Sequence, residues 1–185
     1  MKILAIPASN SPNGLNRQLL AFAAKRIQEE IRPDVTVEVL DLNQYELPIY
    51  SGAREAEGIP ELVHEFLAKI GEADAVMVSY AEHNGSFSVA WKNIYDWASR
   101  ITMQVFQGKK VAMFAATPGG RGGASVLHTA TSTAAFFGAD LVGSVGVGSF
   151  HDVFDQATGE LTDDELRTRF DAVLKGLFDT EGGGD

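Results

Sequence analysis

Met1-Lys2-Ile3-Leu4-Ala5-Ile6-Pro7-Ala8-Ser9-Asn10-Ser11-Pro12-Asn13-Gly14-Leu15-Asn16-Arg17 changes character twice within seventeen residues. Lys2 to Pro7 is an apolar run of strand length. Ala8 to Asn16 is a loop of hydroxyl, amide and glycine groups. From Asn16 to Ile31 the apolar residues Leu20, Ala23, Ala24, Ile27 and Ile31 recur at three and four, which predicts a helix. A strand that feeds a helix through a polar loop is the first unit of an alternating α/β chain.

The alternation continues. Val35 to Leu42 is β-branched and reads as an outer strand. Asn43 to Ile59 reads as a long loop. Pro60 suits the first turn of a helix to about Gly71. Ala73 to Tyr80 is a buried strand, and Phe87 to about Ile101 a helix that Ser86 can cap. Val111 to Ala116 is a strand, and Ala124 to Phe137 a helix closed by Gly138. Leu141 to Val147 is the last strand. A final helix is announced by Thr162 as N-cap, with Glu165 completing a capping box and Leu161 and Leu166 as a hydrophobic staple. Residues 181–185, Glu-Gly-Gly-Gly-Asp, are expected to be disordered, leaving one domain over residues 1–180. Five strands alternating with five helices imply a parallel sheet covered on both faces. Two common strand orders, 3-2-1-4-5 and 2-1-3-4-5, remain open on this evidence. Both place ligands beyond the carboxyl ends of the strands.

The chain has 185 residues, 45% hydrophobic and 22% charged, with a net charge of −10. That sign opposes unspecific binding to nucleic acid or to an anionic membrane. The absence of cysteine removes disulfides, thiolate metal sites and cysteine nucleophiles. His64, His83, His128 and His151 lie on separate segments without metal-ligand spacing, so no metal site is expected. There is no signal-peptide pattern and no apolar run of membrane-spanning length, so the expected setting is cytoplasmic, without membrane insertion.

Three loops carry the candidate chemistry. The first, with Ser9, Ser11, Gly14, Leu15 and Asn16, brings hydroxyls, amides and a helix N-terminus together, as a phosphate site needs. A simple capped loop uses the same residue types. It is neither a G-x-G-x-x-G nor a Walker A loop. The second, Glu82-His83-Asn84-Gly85-Ser86, contains a tight-turn pair. His83 is a candidate proton donor or stacking surface, or simply an exposed loop residue. The helix after it carries apolar residues over roughly 160° of arc, more than the ~100° of one core face. Deep burial explains that; a face for a second subunit explains it better, since Trp and Tyr anchor interfaces. The third, Thr117-Pro118-Gly119-Gly120-Arg121-Gly-Gly123, lets a flat ligand approach its backbone. Arg121 is a candidate contact to an anionic cofactor.

Together these loops resemble the NADPH-dependent FMN reductase family, which includes chromate, quinone and azo-dye reductases. The family's G-S-x-R-x-x-S-x-N-x-x-L is matched by residues 8–19. Its P-E-Y-N-G-S-x-P-G-x-L-K-N-A-x-D-W is matched by residues 81–97. Its glycine-rich loop is matched by Thr117 to Gly123, and a Phe-Asp…Gly-x-Leu-Thr-Asp-x-Glu-Leu pattern by Phe154-Asp155 and Gly159 to Leu166. The family's arginine is here Ser11, its next serine Gly14, its tyrosine His83, and its prolines Ala81 and Ser88. The resemblance implies a flavodoxin-like, doubly wound five-stranded parallel sheet of order 2-1-3-4-5. It implies FMN, with Ser9 and Asn16 at its phosphate and the Glu82–Ser86 loop with Gly119-Gly120 at its ring. It implies NADPH or NADH as donor and a small acceptor: a quinone, a flavin, an azo compound or a metal oxyanion. It implies a homodimer or tetramer through the Phe87–Ile101 helix. Two alternatives stand beside this: a fold that has lost tight FMN binding and serves as an interaction module, and a flavin electron carrier.

Overall fold

The structure is a computed structural model and describes residues 1–179. In chain order its strands are β1 (Lys2–Ala8), β2 (Thr36–Val39), β3 (Ala75–Tyr80), the short β4 (Glu82–His83) and β5 (Ser86–Phe87), β6 (Lys110–Ala116), β7 (Asp140–Val147), and the short β8 (Phe154–Asp155) and β9 (Glu160–Leu161). The helices are α1 (Leu15–Arg26), α2 (Gly52–Glu57), α3 (Glu61–Glu72), α4 (Val89–Ile101), α5 (Ala124–Thr133), α6 (Phe150–Val153) and α7 (Asp164–Gly176).

One five-stranded sheet of order β2-β1-β3-β6-β7 runs through the centre, all neighbours parallel. This is the 2-1-3-4-5 order, and it resolves the choice left open by the strand pattern. β3 is apolar from Ala75 to Val78 and buried throughout, because helices cover both of its faces. One core joins α3, α4 and α5 to the sheet through Val63, Phe66, Trp91, Trp97 and Val126. The other joins α1 and α7 through Leu19, Phe22, Phe170 and Leu174. Ala8 lies level with Tyr80, and Tyr80 with Ala115. The loops leaving β1, β3 and β6 therefore start at one height on one edge.

Several local expectations are corrected. The stretch 43–59 is not all loop: a 3-10 turn spans Leu42–Tyr45, and Ser51 caps α2 by accepting from the Arg54 amide. The first helix ends at Arg26 and passes into a wider π-type turn, Ile27–Ile31. Phe87 is not helical. Asn84 (φ 53°) and Gly85 (φ 74°) make the left-handed pair of a two-residue hairpin, which pairs β4 with β5. The helix therefore starts at Val89, capped by Ser88 and not Ser86. The Ser88 hydroxyl accepts from the Trp91 amide at 3.2 Å and donates to the Ala8 carbonyl at 2.8 Å. Helix α5 stops at Thr133, short of Phe137, with turns continuing to Gly138 (φ 74°). The last helix is capped by Asp163, which accepts from the Leu166 amide at 2.9 Å, because the Thr162 amide is tied to the Val153 carbonyl of the preceding hairpin. That shift of one residue moves Glu165 out of the capping-box position. Residues 181–185, expected to be disordered, lie outside the described residues.

The broad apolar arc of α4 is filled from within the chain. Trp91, Ile94, Tyr95, Trp97 and Ala98 are all buried. Phe66 lies edge-on to Trp91, and Phe137 lies against Tyr95. The 47–50 segment is laced to the helix: Trp97 Nε1 donates to the Pro48 carbonyl at 2.8 Å, and Asn93 holds Leu47, Pro48 and Tyr50. The reading of these aromatics as anchors for a second subunit is thus corrected; deep burial accounts for them.

Candidate active site

A cleft of about 260 Å³ opens at the carboxyl ends of β1, β3 and β6. It is walled by Ser9, Ser11, Gly14, Leu15 and Asn16 from the first loop, by Ala81, Glu82 and His83 from the second, and by Ala116, Thr117 and Pro118 from the third. Ala81 was noted in the sequence only as standing where the family has a proline, and Ala116 not at all; a small residue at the end of its strand carries no pattern to find. Asn84, Gly85 and Ser86 form the hairpin tip instead, where a Cβ on Gly85 would sit 3.9 Å from Ser125 at the start of α5. Gly119, Gly120 and Arg121 continue the third loop beyond the cleft wall. Arg121 donates to the Ser125 hydroxyl at 3.0 Å.

At the first loop the backbone supplies unused donors. Gly14 takes the N-cap position of α1, and among the described residues no backbone carbonyl accepts from the amides of Leu15 or Asn16. These amides sit at the positive end of the helix, where an anion is favoured. The Ser9 hydroxyl accepts from the Ser11 amide at 3.1 Å, which folds the loop back over the helix start.

The Asn16 side chain is engaged elsewhere. It is 5% exposed; its Oδ1 accepts from the Ser79 hydroxyl at 2.7 Å and the Ala116 amide at 2.8 Å, and its Nδ2 donates to the Ala116 carbonyl at 3.3 Å. The carboxamide ties the start of α1 to the ends of β3 and β6, while Asn16 also lines the cleft and its backbone amide is a donor there. Glu82 is likewise spoken for. Its carboxylate accepts from the Val126 amide at 2.9 Å and so caps α5, whose N-cap Gly123 has no side chain to do it.

The glycines of the third loop divide by function. A Cβ on Gly122 (φ 58°) would lie 3.0 Å from Gly146 C and Gly148 N, and one on Gly123 would lie 2.5 Å from the Ala115 Cβ. Reciprocally, a Cβ on Gly146 would meet the Gly122 carbonyl oxygen at 2.3 Å, and one on Gly148 the Gly120 oxygen at 2.5 Å. Gly122, Gly146 and Gly148 let two backbone segments touch, and Gly123 lets the loop pack on Ala115. Gly119 faces open space, and a Cβ on Gly120 would meet only the Ser149 hydroxyl, at 3.7 Å. Among the described residues no backbone carbonyl accepts from the Gly119 or Gly120 amides. A flat ligand has room to lie there against backbone donors, so the residues present fit a flavin ring. Gly146 reads in the sequence only as an interruption of a strand; its packing role appears when the third loop is seen lying across it.

His83 is exposed on β4 and lines both this cleft and a neighbouring one of about 310 Å³, bounded by Asn10, Leu42, Tyr45, Leu47, Val89 and Ala90. Among the described residues no helix is long and apolar enough to cross a membrane.

Comparisons with known proteins give the family and agree with the fold. The model of the NADPH-dependent FMN reductase family matches residues 1–152. An NAD(P)H-dependent FMN reductase of Pseudomonas aeruginosa is 30% identical over 179 residues, covering 96% of this chain and 93% of that protein. An NAD(P)H:quinone oxidoreductase of Solanum tuberosum is 31% identical over 183 residues, covering 96% and 91%. Among solved structures, the flavoenzyme FerB, an NAD(P)H:(acceptor) oxidoreductase from Paracoccus denitrificans, shares the fold with a TM-score of 0.72 at 23% identity, over 96% of this chain and 97% of that one. The family match runs from the first strand past the glycine-rich loop and takes in every wall of the cleft, so the chain belongs to the NADPH-dependent FMN reductase family.

Proposed function

We propose that the cleft at the ends of β1, β3 and β6 holds FMN and that the chain passes reducing equivalents from NAD(P)H to a small acceptor. Membership of the family carries the FMN-dependent oxidoreductase activity itself; the site and the acceptor are our assignment. The observation that carries it is a cleft with two unused backbone donors, Leu15 and Asn16, in its wall, and a second such pair, Gly119 and Gly120, on the loop that continues from its wall at Pro118. The first pair, with the Ser9 and Ser11 hydroxyls, would hold the phosphate. Gly119 and Gly120 would support the ring, with Thr117, Pro118 and the Glu82–Ser86 hairpin as its other walls. Bound there, FMN supplies the isoalloxazine that takes hydride from the nicotinamide and gives it to the acceptor. The amides of Gly119 and Gly120 would hold the ring and supply donors to negative charge on it. His83, at the mouth, is the group we assign to proton delivery. A quinone, a free flavin, an azo compound and a metal oxyanion all suit an open site of this kind.

The test is a visible spectrum of the purified protein before and after excess FMN and desalting, followed by anaerobic NADPH and NADH. Retained flavin that bleaches promptly is the expected result. A protein that binds no flavin and oxidises no NAD(P)H in its presence overturns the reading. His83→Phe should slow turnover of a proton-requiring quinone more than it changes FMN retention. A cytoplasmic setting and a homodimer or tetramer belong to the same proposal. The support for assembly is the outer edge of α4, where Val89 is 70% exposed beside Ile49, 66% exposed, at the rim of the larger cleft. Light scattering that reports a monomer at tens of micromolar removes that part.

A further inference from the structure

A buried hydroxyl ties the first loop of the cleft to the helix behind the second. Ser88 stands where the resemblance places a proline, and it is 1% exposed. Its Oγ accepts from the Trp91 amide at 3.2 Å and donates to the Ala8 carbonyl, 80 residues away in the chain, at 2.8 Å. Ala8 is the last residue of β1 that pairs with β3. The peptide unit between Ala8 and Ser9 is planar. Ser88 holds it by its carbonyl, and the Ser9 amide, which donates to the Pro7 carbonyl at 2.8 Å, holds it from the other side. Ser9 itself lies in the cleft wall, and its hydroxyl accepts from the Ser11 amide at 3.1 Å. A hydroxyl that accepts there keeps its own proton to donate to a ligand.

We propose that Ser88 is a positioning residue for the cofactor: by holding the Ala8–Ser9 peptide unit it aims the Ser9 hydroxyl at the flavin phosphate. The inference rests on the cofactor reading above. Ser88 does not line the cleft, so it acts through Ser9 and not by contact. A hydrogen bond to a charged phosphate is worth roughly ten- to a hundredfold in affinity, and it weakens steeply when misdirected. Without the Ser88 hydroxyl the Ala8 carbonyl loses that partner and the peptide unit is free to turn. FMN then loses the Ser9 contribution, while riboflavin, which has no phosphate, loses little. The backbone at this position already suits a proline. Its φ is −61°, Phe87 before it lies in β5, and among the described residues no backbone carbonyl accepts from the Ser88 amide. Ser88→Pro therefore removes the hydroxyl and keeps the entry to α4. The ring restricts the unfolded chain, which offsets part of the lost cap.

The experiment is equilibrium titration of the purified chain with FMN and with riboflavin, followed by flavin fluorescence well below the melting temperature, beside thermal unfolding of the flavin-free protein. Ser88→Ala and Ser88→Pro should each lower the preference for FMN over riboflavin by roughly ten- to a hundredfold, through weaker FMN binding. Ser88→Thr, which keeps a hydroxyl, should retain the parent ratio. Ser88→Pro should melt close to the parent, which separates lost aim from lost fold. In a Ser9→Ala chain, adding Ser88→Pro should change the ratio no further, because the two residues act as one unit. A Ser88→Pro chain with the parent ratio, or one that loses both flavins equally, overturns this inference and leaves the cofactor reading intact. So does an effect of full size in the Ser9→Ala chain, or a parent chain with no preference for FMN. Failure of both flavins to bind the parent overturns the cofactor reading and this inference together.

Discussion

Replacing Asn16 with Leu tests what this residue does. Leu keeps the branched shape of Asn and is somewhat bulkier, so the substitution opens no cavity, and its main effect comes from lost hydrogen bonds. Three buried partners are orphaned at once: the Ser79 hydroxyl, the Ala116 amide and the Ala116 carbonyl. Each buried polar group left without a partner costs about 1–3 kcal/mol. The hydroxyl can rotate toward another acceptor, so the three do not add fully, and a total of about 3 kcal/mol is expected. For a domain of this size that lowers Tm by roughly 6–12 °C. The assay is thermal unfolding of the protein freed of flavin, where a role in binding phosphate cannot contribute. Ser79→Ala alone should cost about 1 kcal/mol. Adding it to Asn16→Leu should cost less than the sum, since it removes one of the orphans. An Asn16→Leu protein that melts with the parent and has lost flavin affinity refutes the tie and restores the side chain as a ligand.

The glycines of the third loop should separate cleanly. Gly122→Ala, which forces a Cβ against Gly146 and Gly148 at a φ of 58°, should lower Tm of the flavin-free protein. Gly119→Val, facing open space, should leave Tm unchanged and reduce flavin retention; the reverse pattern would exchange their assignments. Glu38 on the outer strand sits between Lys2 at 2.8 Å and Lys69 at 2.7 Å, and hydrogen bonds from both hold its carboxyl below the usual range. Its folded value lies below its unfolded one, so the stabilisation is present above the ordinary glutamate pKa of about 4.3 and is lost as pH falls through the folded value. Glu38→Gln should therefore cost about 0.5–1 kcal/mol near neutral pH, and the difference should close as melts are taken at pH values falling below the ordinary glutamate range.

Much of the fold was legible because its signals are local. The apolar runs Lys2–Pro7, Ala73–Tyr80 and Val111–Ala116 and the helical spacing from Leu20 to Ile31 each fix an element within a few residues of chain. The three loops could be picked out because their strands are read correctly and because hydroxyls, amides and glycines cluster in them. The sequence alone also determined the net charge and the lack of cysteine, and with them the classes of chemistry ruled out.

What it did not determine are choices between residues that are chemically equal on paper. Ser86 and Ser88 can both cap a helix; Ser88 does so because the Asn84-Gly85 turn holds Ser86 in a hairpin and because the Ala8 carbonyl accepts its hydroxyl. Thr162 and Asp163 are a similar pair, decided by the hairpin that takes the Thr162 amide. Asn16 reads equally well as a ligand or as a tie, and the partners that make the tie, Ser79 and Ala116, are 63 and 100 residues away in the chain. The aromatic stripe of α4 has one pattern for an interface and for a core, and the 47–50 segment that buries it is visible only in three dimensions. In each case local pattern states what a residue is able to do, and the tertiary structure supplies the partner that fixes what it does, because a hydrogen bond or a buried face is completed by atoms that sequence proximity does not reveal.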